Sequence, residues 1–186
     1  MKEKLLNYLR RMKGGESRSP RKPFSKVAWS WIGAFLGVYS IAAVNNMINT
    51  EHTDALFLLG SFGASSVLIY AAPQAEFSQP RNFIGGHIIS TLVGVSVYKF
   101  LSFDVAMLSA IAVSLSIVAM HLTNTLHPPG GATALVAIVG SPQTHELGYT
   151  FALSPVLLDS CILLVIGLLI NNLSKNQKRH YPRYWL

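Results

Sequence analysis

Hydrophobic residues fall into six stretches that short polar segments separate. The stretches are Val27–Ile48, Ala55–Ala72, Phe83–Phe103, Val105–Leu122, Gly131–Gly140 and Phe151–Ile170. A helix needs about 20 residues to cross a bilayer, and the first, third, fourth and sixth stretches have that length or nearly so. The second is marginal, and the fifth is too short to cross alone. The pattern predicts an all-α polytopic transmembrane bundle with four to six spans.

The charged residues lie mainly outside these stretches, at the two ends of the chain. Nine of the 15 Lys and Arg residues lie between Lys2 and Lys26, and four more lie between Lys175 and Arg183. Basic segments that flank membrane helices stay in the cytoplasm, so both termini are predicted inside and the number of crossings is even. The formal net charge of +7 is therefore explained by membrane orientation rather than by nucleic-acid binding.

This charge distribution divides the chain into three parts. Residues 1–26 form a basic cytoplasmic lead, residues 27–173 a transmembrane domain, and residues 174–186 a basic cytoplasmic tail. The loop with Glu51 and Asp54 carries no Lys or Arg and is predicted outside. Six crossings agree with an even number, and so do four crossings with two re-entrant segments. The expected location is the inner (plasma) membrane.

A weak internal repeat relates two of the shorter stretches. The sequence Gly63–Leu68 resembles Gly131–Val136, which follows it by 68 residues. Short, Gly-interrupted hydrophobic segments at matching positions of two halves point to the binding site of a transporter. We expect both segments to be broken or re-entrant helices. The two halves are inverted if each crosses three times, and parallel if each crosses twice.

The tract His127-Pro128-Pro129-Gly130-Gly131 lies directly between two hydrophobic stretches. The two prolines remove backbone donors, and the two glycines allow the backbone to approach a neighbour closely. A helix broken at membrane depth is tolerated only where protein or a water-filled cavity meets it. Free N–H groups at the start of the next helix bind anions. The tract is therefore the predicted anion site; the alternative is a structural loop in which His127 bonds a neighbouring carbonyl.

Further candidates for the anion site are small residues in or beside the two copies of the repeat, together with one basic residue. Gly63 begins the first copy, Ser61 lies two residues before it, and Thr133 lies in the second copy. Their small side chains either line a polar path or allow helices to pack closely. Arg81 is one of only two basic residues in the hydrophobic centre of the chain. Its fork of donors suits a small anion, and a cytoplasmic anchor is its alternative role.

Four polar residues within or beside the hydrophobic stretches are candidates for proton coupling: His87, Asp159, His121 and Asn124. Ionisable side chains inside a membrane are functional candidates by default, and a packing or helix-contact role is the alternative for each. His121, Asn124 and His127 suggest a metal site, but no carboxylate or thiol joins them locally. The sequence also lacks a catalytic triad order, a phosphate loop and paired carboxylates. We therefore expect no metal, no cofactor and no enzyme activity.

Several motifs together resemble the HPP family of small integral membrane proteins, which is named for the His-Pro-Pro tract seen here at His127–Pro129. The resemblance covers about residues 27–186 and is carried by Gly60–Ala64 with Pro73, Gln79–Asn82 with Gly85–His87, Leu126–Leu135, Asn171–Leu173 and Tyr181–Trp185. Family members from plant plastids and cyanobacteria are linked to nitrite transport. The resemblance therefore implies nitrite as a candidate substrate.

The residues and the resemblance together predict a membrane transporter or channel for a small inorganic anion, nitrite first, with proton coupling as an option. The expected partners are that anion and the lipid bilayer, and a homo-oligomer is compatible with the sequence. The alternative is a membrane scaffold or sensor subunit that transports nothing. A transporter needs a continuous polar path past His127 and Arg81, whereas a scaffold bonds these groups within packed protein.

Overall fold

Residues 2–48 and 50–186 are described by a computed structural model of the chain. Every regular element in these residues is helical. The helices are α1 (Lys2–Arg10), α2 (Phe24–Met47), α3 (His52–Ser66), α4 (Pro80–Phe100), α5 (Val105–Leu122), α6 (Pro129–Val139), α7 (Pro142–Leu147) and α8 (Leu158–Leu173). A π turn, Val67–Ala71, directly extends α3.

Among the described residues, five helical stretches are long and apolar enough to cross a membrane. Three of them are the single helices α2, α4 and α5. The fourth is α3 with its π turn, 20 residues in all, and the fifth runs from α7 to α8 with a bend at Ser154. Of the two Gly-containing segments, the first thus forms a full-length helix. The second, α6, has 11 residues, which rise only about 16 Å and do not cross a bilayer alone.

The bundle has two clearly different ends. At the first, termed the basic end, Nη1 of Arg179 in the tail donates to the carbonyl of Lys26 near the start of α2 (3.2 Å). At the second, termed the acidic end, the backbone N–H of Ser141 after α6 donates to Asp54 near the start of α3 (2.8 Å). The chain therefore enters and leaves the bundle at the basic end, as an even number of crossings requires.

The short helix α6 completes a sixth passage through the bundle together with the irregular segment 123–128. α6 runs antiparallel to α3, because the hydroxyl of Ser61 midway along α3 lies 2.8 Å from that of Thr133, whereas Asp54 near its start contacts Ser141 beyond the end of α6. Residues 123–128 cover the remaining distance to the basic end. The predicted polytopic all-α bundle is confirmed.

The six passages form two halves of three. Helices α2, α3 and α4 make the first half, and α5, α6 and α8 make the second half, which runs in the opposite direction. Helix α2 contacts α3 and α8, α5 contacts α6 and α4, and α3 contacts α6. The two copies of the weak repeat lie on α3 and α6, which contact each other across the two halves. This is the inverted arrangement that the repeat predicts for halves crossing three times.

Glycines allow α4 and α6 to approach each other closely. A Cβ atom on Gly94 would lie 2.7 Å from the carbonyl oxygen of Ala134, and one on Gly86 would overlap the Cβ of His127. Small residues are typical of contacts between membrane helices, whose association depends on close packing rather than on removal of apolar surface from water. The approach brings α4, α6 and the irregular segment together around one point.

We predict that the basic end faces the cytoplasm, because Lys26, Arg81 and the basic tail lie there and cytoplasmic loops carry the excess of Lys and Arg. In a Cys161→Ser background, Thr53→Cys should react with a membrane-impermeant maleimide in intact cells. Lys178→Cys, at the basic end, should react only after permeabilisation. Labelling of Lys178→Cys in intact cells would contradict this orientation.

Candidate functional site

Five polar side chains form a buried cluster where α3, α4 and α6 meet: Ser61, Ser65, His87, His127 and Thr133, each at most 1% exposed. The hydroxyl of Ser65 lies 2.8 Å from Nε2 of His87 and 2.8 Å from Nε2 of His127. Nδ1 of His87 lies 2.7 Å from the hydroxyl of Thr133, which lies 2.8 Å from that of Ser61. This set, termed the histidine cluster, links three helices and the irregular segment in one hydrogen-bonded chain.

The carbonyl of Phe77 sets the direction of this chain, because a carbonyl oxygen only accepts hydrogen bonds. Nδ1 of His127 lies 2.7 Å from it and therefore carries a hydrogen. In a neutral His127 the other nitrogen, Nε2, then accepts from the hydroxyl of Ser65. Ser65 in turn accepts from Nε2–H of His87. Nδ1 of a neutral His87 is then an acceptor and receives the hydroxyl hydrogen of Thr133.

The hydrogen-bonded chain of the cluster has one hydrogen fewer than it has short contacts when both imidazoles are neutral. The hydroxyl of Ser61 lies 2.9 Å from the carbonyl of Pro129 and 2.8 Å from the hydroxyl of Thr133, but its single hydrogen serves only one of them. Six contacts of 2.9 Å or less thus share five hydrogens. A proton added to His87 makes both its nitrogens donors, and Thr133 then donates to Ser61, which donates to Pro129. The cluster accommodates one extra proton without losing a hydrogen bond.

Aromatic rings enclose the two imidazoles. The ring of Phe62 stacks on His87 with 4.4 Å between centroids. The ring of Phe83 meets both His87 and His127 edge-on, at 5.3 Å from each. Phe62 and Phe83 are themselves fully buried. An ion therefore reaches the imidazoles only when these rings or the irregular segment move.

The first turn of α4 holds the irregular segment in place. Nη2 of Arg81 donates to the carbonyl of Thr123 (3.1 Å), and Nδ2 of Asn82 donates to the carbonyl of Leu126 (3.0 Å). Both carbonyls belong to backbone that has left the helical hydrogen-bond pattern and needs other partners. The Arg81 side chain is otherwise exposed at the basic end. Arg81 thus makes an anchoring contact. Anchoring is the role that the sequence offered as the alternative to anion binding.

The backbone N–H groups predicted to bind the anion are occupied in this conformation. The N–H of Gly130 donates to the carbonyl of His127 (2.8 Å), and that of Gly131 donates to the carbonyl of Pro128 (3.1 Å). These bonds close the turn that starts α6. An anion would bind here only after the turn had opened and released the two N–H groups.

Besides Arg81 and Asp159, three sequence candidates lie away from the histidine cluster. His121 and Asn124 are exposed around the end of α5, and Asn124 has a positive φ of 57° in the turn that leaves the helix. Gly63 faces open space, since a Cβ atom built there would meet nothing within 4 Å. Within the described part of the chain, no group of three His, Cys, Asp or Glu side chains suits a metal ion.

Asp159 is fully buried on α8, but it belongs to a different contact. Its Oδ2 accepts a hydrogen bond from Nδ2 of Asn45 on α2 (3.0 Å), as expected for an intramembrane carboxylate paired with an Asn. Its other oxygen, Oδ1, has no hydrogen-bond partner among the described residues. The pair links α2 to α8, the first and last helices of the bundle.

Ser65 belongs to the histidine cluster although the sequence did not single it out. It connects the two histidines. The available signal was its spacing from Ser61, because residues four apart lie on the same face of a helix. The spacing does not show which residues that face contacts, because His87 and His127 lie 22 and 62 positions away along the chain.

A profile of the transmembrane region of the HPP family matches residues 19–182. The chain belongs to the HPP family. It is similar to two transmembrane proteins of Dictyostelium discoideum, with 40% identity over 185 residues to one and over 179 residues to the other. The alignments cover 97% and 92% of this chain but 58% and 60% of those relatives, so the chain spans about three fifths of their length. No solved structure matches the chain.

Membership of the HPP family and the five long apolar helices establish a multi-pass membrane protein. In this HPP protein the tract that names the family forms the start of α6 and one wall of the histidine cluster. The second motif of the resemblance, Gln79–Asn82, lies at the start of α4 and bonds the irregular segment that leads into the tract. The two motifs are therefore parts of one local structure.

The two glycines of the HPP tract have different surroundings. A Cβ atom on Gly130 would lie 2.7 Å from Oγ of Ser90 and 2.8 Å from the carbonyl of Gly86, whereas one on Gly131 would meet only Cγ1 of Val113 at 3.7 Å. Gly130→Ala should therefore lower the free energy of unfolding by about 1–3 kcal/mol through overpacking. Gly131→Ala should leave it unchanged or raise it slightly. Thermal unfolding in detergent measures both, and equal stabilities would contradict this packing.

Proposed function

We propose that this HPP protein carries a small inorganic anion across the membrane together with a proton, with nitrite as the first substrate to test. The observation that supports this most strongly is the histidine cluster, in which Ser65 joins His87 and His127 beside a helix break. Ionisable side chains at such places mark ion or proton pathways in membrane proteins. The residues favour a small anion and a proton, and the family resemblance suggests nitrite.

The proton has a defined place in this proposal. It binds His87. The cluster then has as many hydrogens as short contacts, so every short contact becomes a hydrogen bond. His127 is the titratable group that faces His87, with 4.9 Å between ring centroids. The added positive charge is buried and unpaired, which is costly unless an anion lies beside it. Proton and anion therefore stabilise one another inside the bundle and move together.

The anion approaches from the basic end in this proposal. Arg81 is exposed there and uses one of its five donors in its described hydrogen bond to Thr123. The irregular segment continues from this point to His127. Movement of the segment away from α4 would open a route and free the N–H groups of Gly130 and Gly131 for the anion. In this proposal, the bonded conformation of the segment is the closed state of such a cycle.

Asp159 is assigned to a helix contact rather than to the anion route. Its partner is Asn45 on α2, and neither residue belongs to the histidine cluster. A carboxylate on the route would also repel an anion. Loss of the α2–α8 link in Asp159→Ala, which removes the acceptor oxygen, is therefore expected to affect stability more than anion selectivity.

The second candidate function is a membrane scaffold or sensor subunit without ion flux. It is favoured by the complete bonding of His127, whose two ring nitrogens contact Ser65 and the Phe77 carbonyl, and by the enclosing aromatic rings. These contacts equally describe a closed transporter. Measurement of flux separates the two functions.

The direct test uses proteoliposomes that contain the purified chain and a pH-sensitive dye. Nitrite, nitrate, formate and chloride are offered in turn, with and without an acid-outside pH gradient. We expect nitrite uptake that the gradient increases and that acidifies the lumen. Absence of flux for all four anions in folded protein would favour the scaffold. Anion flux that ignores the gradient would remove the proton from the mechanism.

His87→Gln separates the proton step from the fold. Glutamine makes neutral hydrogen bonds but does not take up the proton, so gradient-driven uptake should fall about tenfold or more, since a hydrogen bond to a charged group is worth about 1.5–3 kcal/mol. His52→Gln is the matched control, because His52 is exposed at the start of α3. Uptake in His87→Gln that equals the control, at equal folded yield, would contradict the role of His87.

A further inference from the structure

Arg179 is buried although it comes from the basic tail. It lies in the short 3₁₀ turn Gln177–Arg179 and is only 1% exposed. The tail folds back so that this side chain enters the basic end of the bundle between the start of α2 and the end of α8. A buried arginine ordinarily has an anionic partner, because an isolated buried charge is costly.

The hydrogen bonds of Arg179 are all to neutral atoms. Nη1 donates to the carbonyl of Lys26 (3.2 Å) and to the hydroxyl of Ser30 (3.2 Å). Nη2 donates to the carbonyl of Tyr70 (2.8 Å) and to Oδ1 of Asn171 (2.9 Å). Nε–H finds no acceptor in the part of the chain that the structure describes. Burial lowers the pKa of Arg179 from its usual value, and none of these partners supplies the negative charge that would offset it.

A cavity of about 420 Å³ adjoins this side chain. Its walls combine cationic, small polar and apolar residues: Ser25, Lys26, Trp29, Leu173, Ser174, Lys175, Asn176 and Arg179. Three of these are cations, and none of these lining residues is acidic. The combination of three positive charges with hydroxyl and amide groups is that of a site for an oxyanion.

The position of the cavity favours an oxyanion that lies at the membrane surface. The cavity opens between the ends of two membrane-crossing helices, α2 and α8, and Trp29 and Leu173 provide apolar surface beside the cations. Tryptophan is enriched at the level of lipid headgroups. Basic pockets between membrane helices on the cytoplasmic side bind anionic headgroups.

We propose that this cavity binds a phosphate group, held by Lys26 and Lys175 above the buried charge of Arg179, and that the phosphate belongs to an anionic phospholipid. Free inorganic phosphate shares the same chemistry and is distinguished by the test below. The bound phosphate supplies the charge that Arg179 lacks and ties the tail to α2 and α8. The site lies apart from the histidine cluster and does not depend on the proposed transport.

The test uses the full chain in an uncharged detergent. Native mass spectrometry measures binding of phosphatidylglycerol and, as a neutral-headgroup comparison, phosphatidylcholine; titration calorimetry measures binding of inorganic phosphate. The variants Lys26→Gln and Lys175→Gln remove lysines from the cavity wall. Lys178→Gln is the matched control, because it removes the same charge from an exposed tail position outside the wall. Thermal unfolding without lipid confirms that each variant is folded.

We expect phosphatidylglycerol to bind in preference to phosphatidylcholine, with affinity reduced about fivefold by each cavity lysine lost and unchanged in Lys178→Gln. Calorimetric binding of inorganic phosphate with the same lysine dependence, without preference for phosphatidylglycerol, would overturn the lipid assignment. Equal losses in all three lysine variants would show that total charge rather than the cavity holds the lipid, and would overturn the site. Binding that none of the variants changes would also overturn it.

Discussion

A helix interrupted inside a membrane exposes backbone carbonyls that lipid does not satisfy, and the centre of this protein is arranged to bond them. The first turn of α4 supplies two side-chain donors, Arg81 and Asn82, to the carbonyls of segment 123–128. Gly130 and Gly131 supply backbone donors to the two residues before α6. The interruption is therefore stable only while α4 lies against it, and the glycines that let α4 and α6 approach are part of the same requirement.

The position of His127 follows from this arrangement. Its Nδ1–H bonds the carbonyl of Phe77, so the ring is oriented by the backbone of the loop before α4, and its second nitrogen points at Ser65 on α3. Ser65 in turn accepts a hydrogen bond from His87, and His87 accepts one from Thr133. This hydrogen-bonded chain has one hydrogen fewer than it has short contacts, so a proton on His87 would complete its bonds. That is the physical basis of the proposed proton uptake at a site without a carboxylate.

The basic residues serve two separate purposes in the structure. Most of them lie at the exposed ends of the chain, where an excess of Lys and Arg predicts a cytoplasmic location. Arg179 is different, because the tail carries it into the bundle and its hydrogen bonds within the described part of the chain go to neutral atoms. Asp159, the one buried carboxylate of α8, pairs instead with Asn45 on α2.

The sequence by itself determined the fold class, the even number of passages and the place of the helix break, because hydrophobic length, flanking charge and proline each act locally. For Asp159 it left a helix contact open beside proton coupling. The meeting of Ser65 with two histidines, the bonding of Arg81 to the break and the burial of Arg179 were decided only by the tertiary structure. Each depends on which faces of distant helices come together. The small residues Gly86, Ser90 and Gly94 recur every four positions along α4, but this spacing does not show which helix they meet.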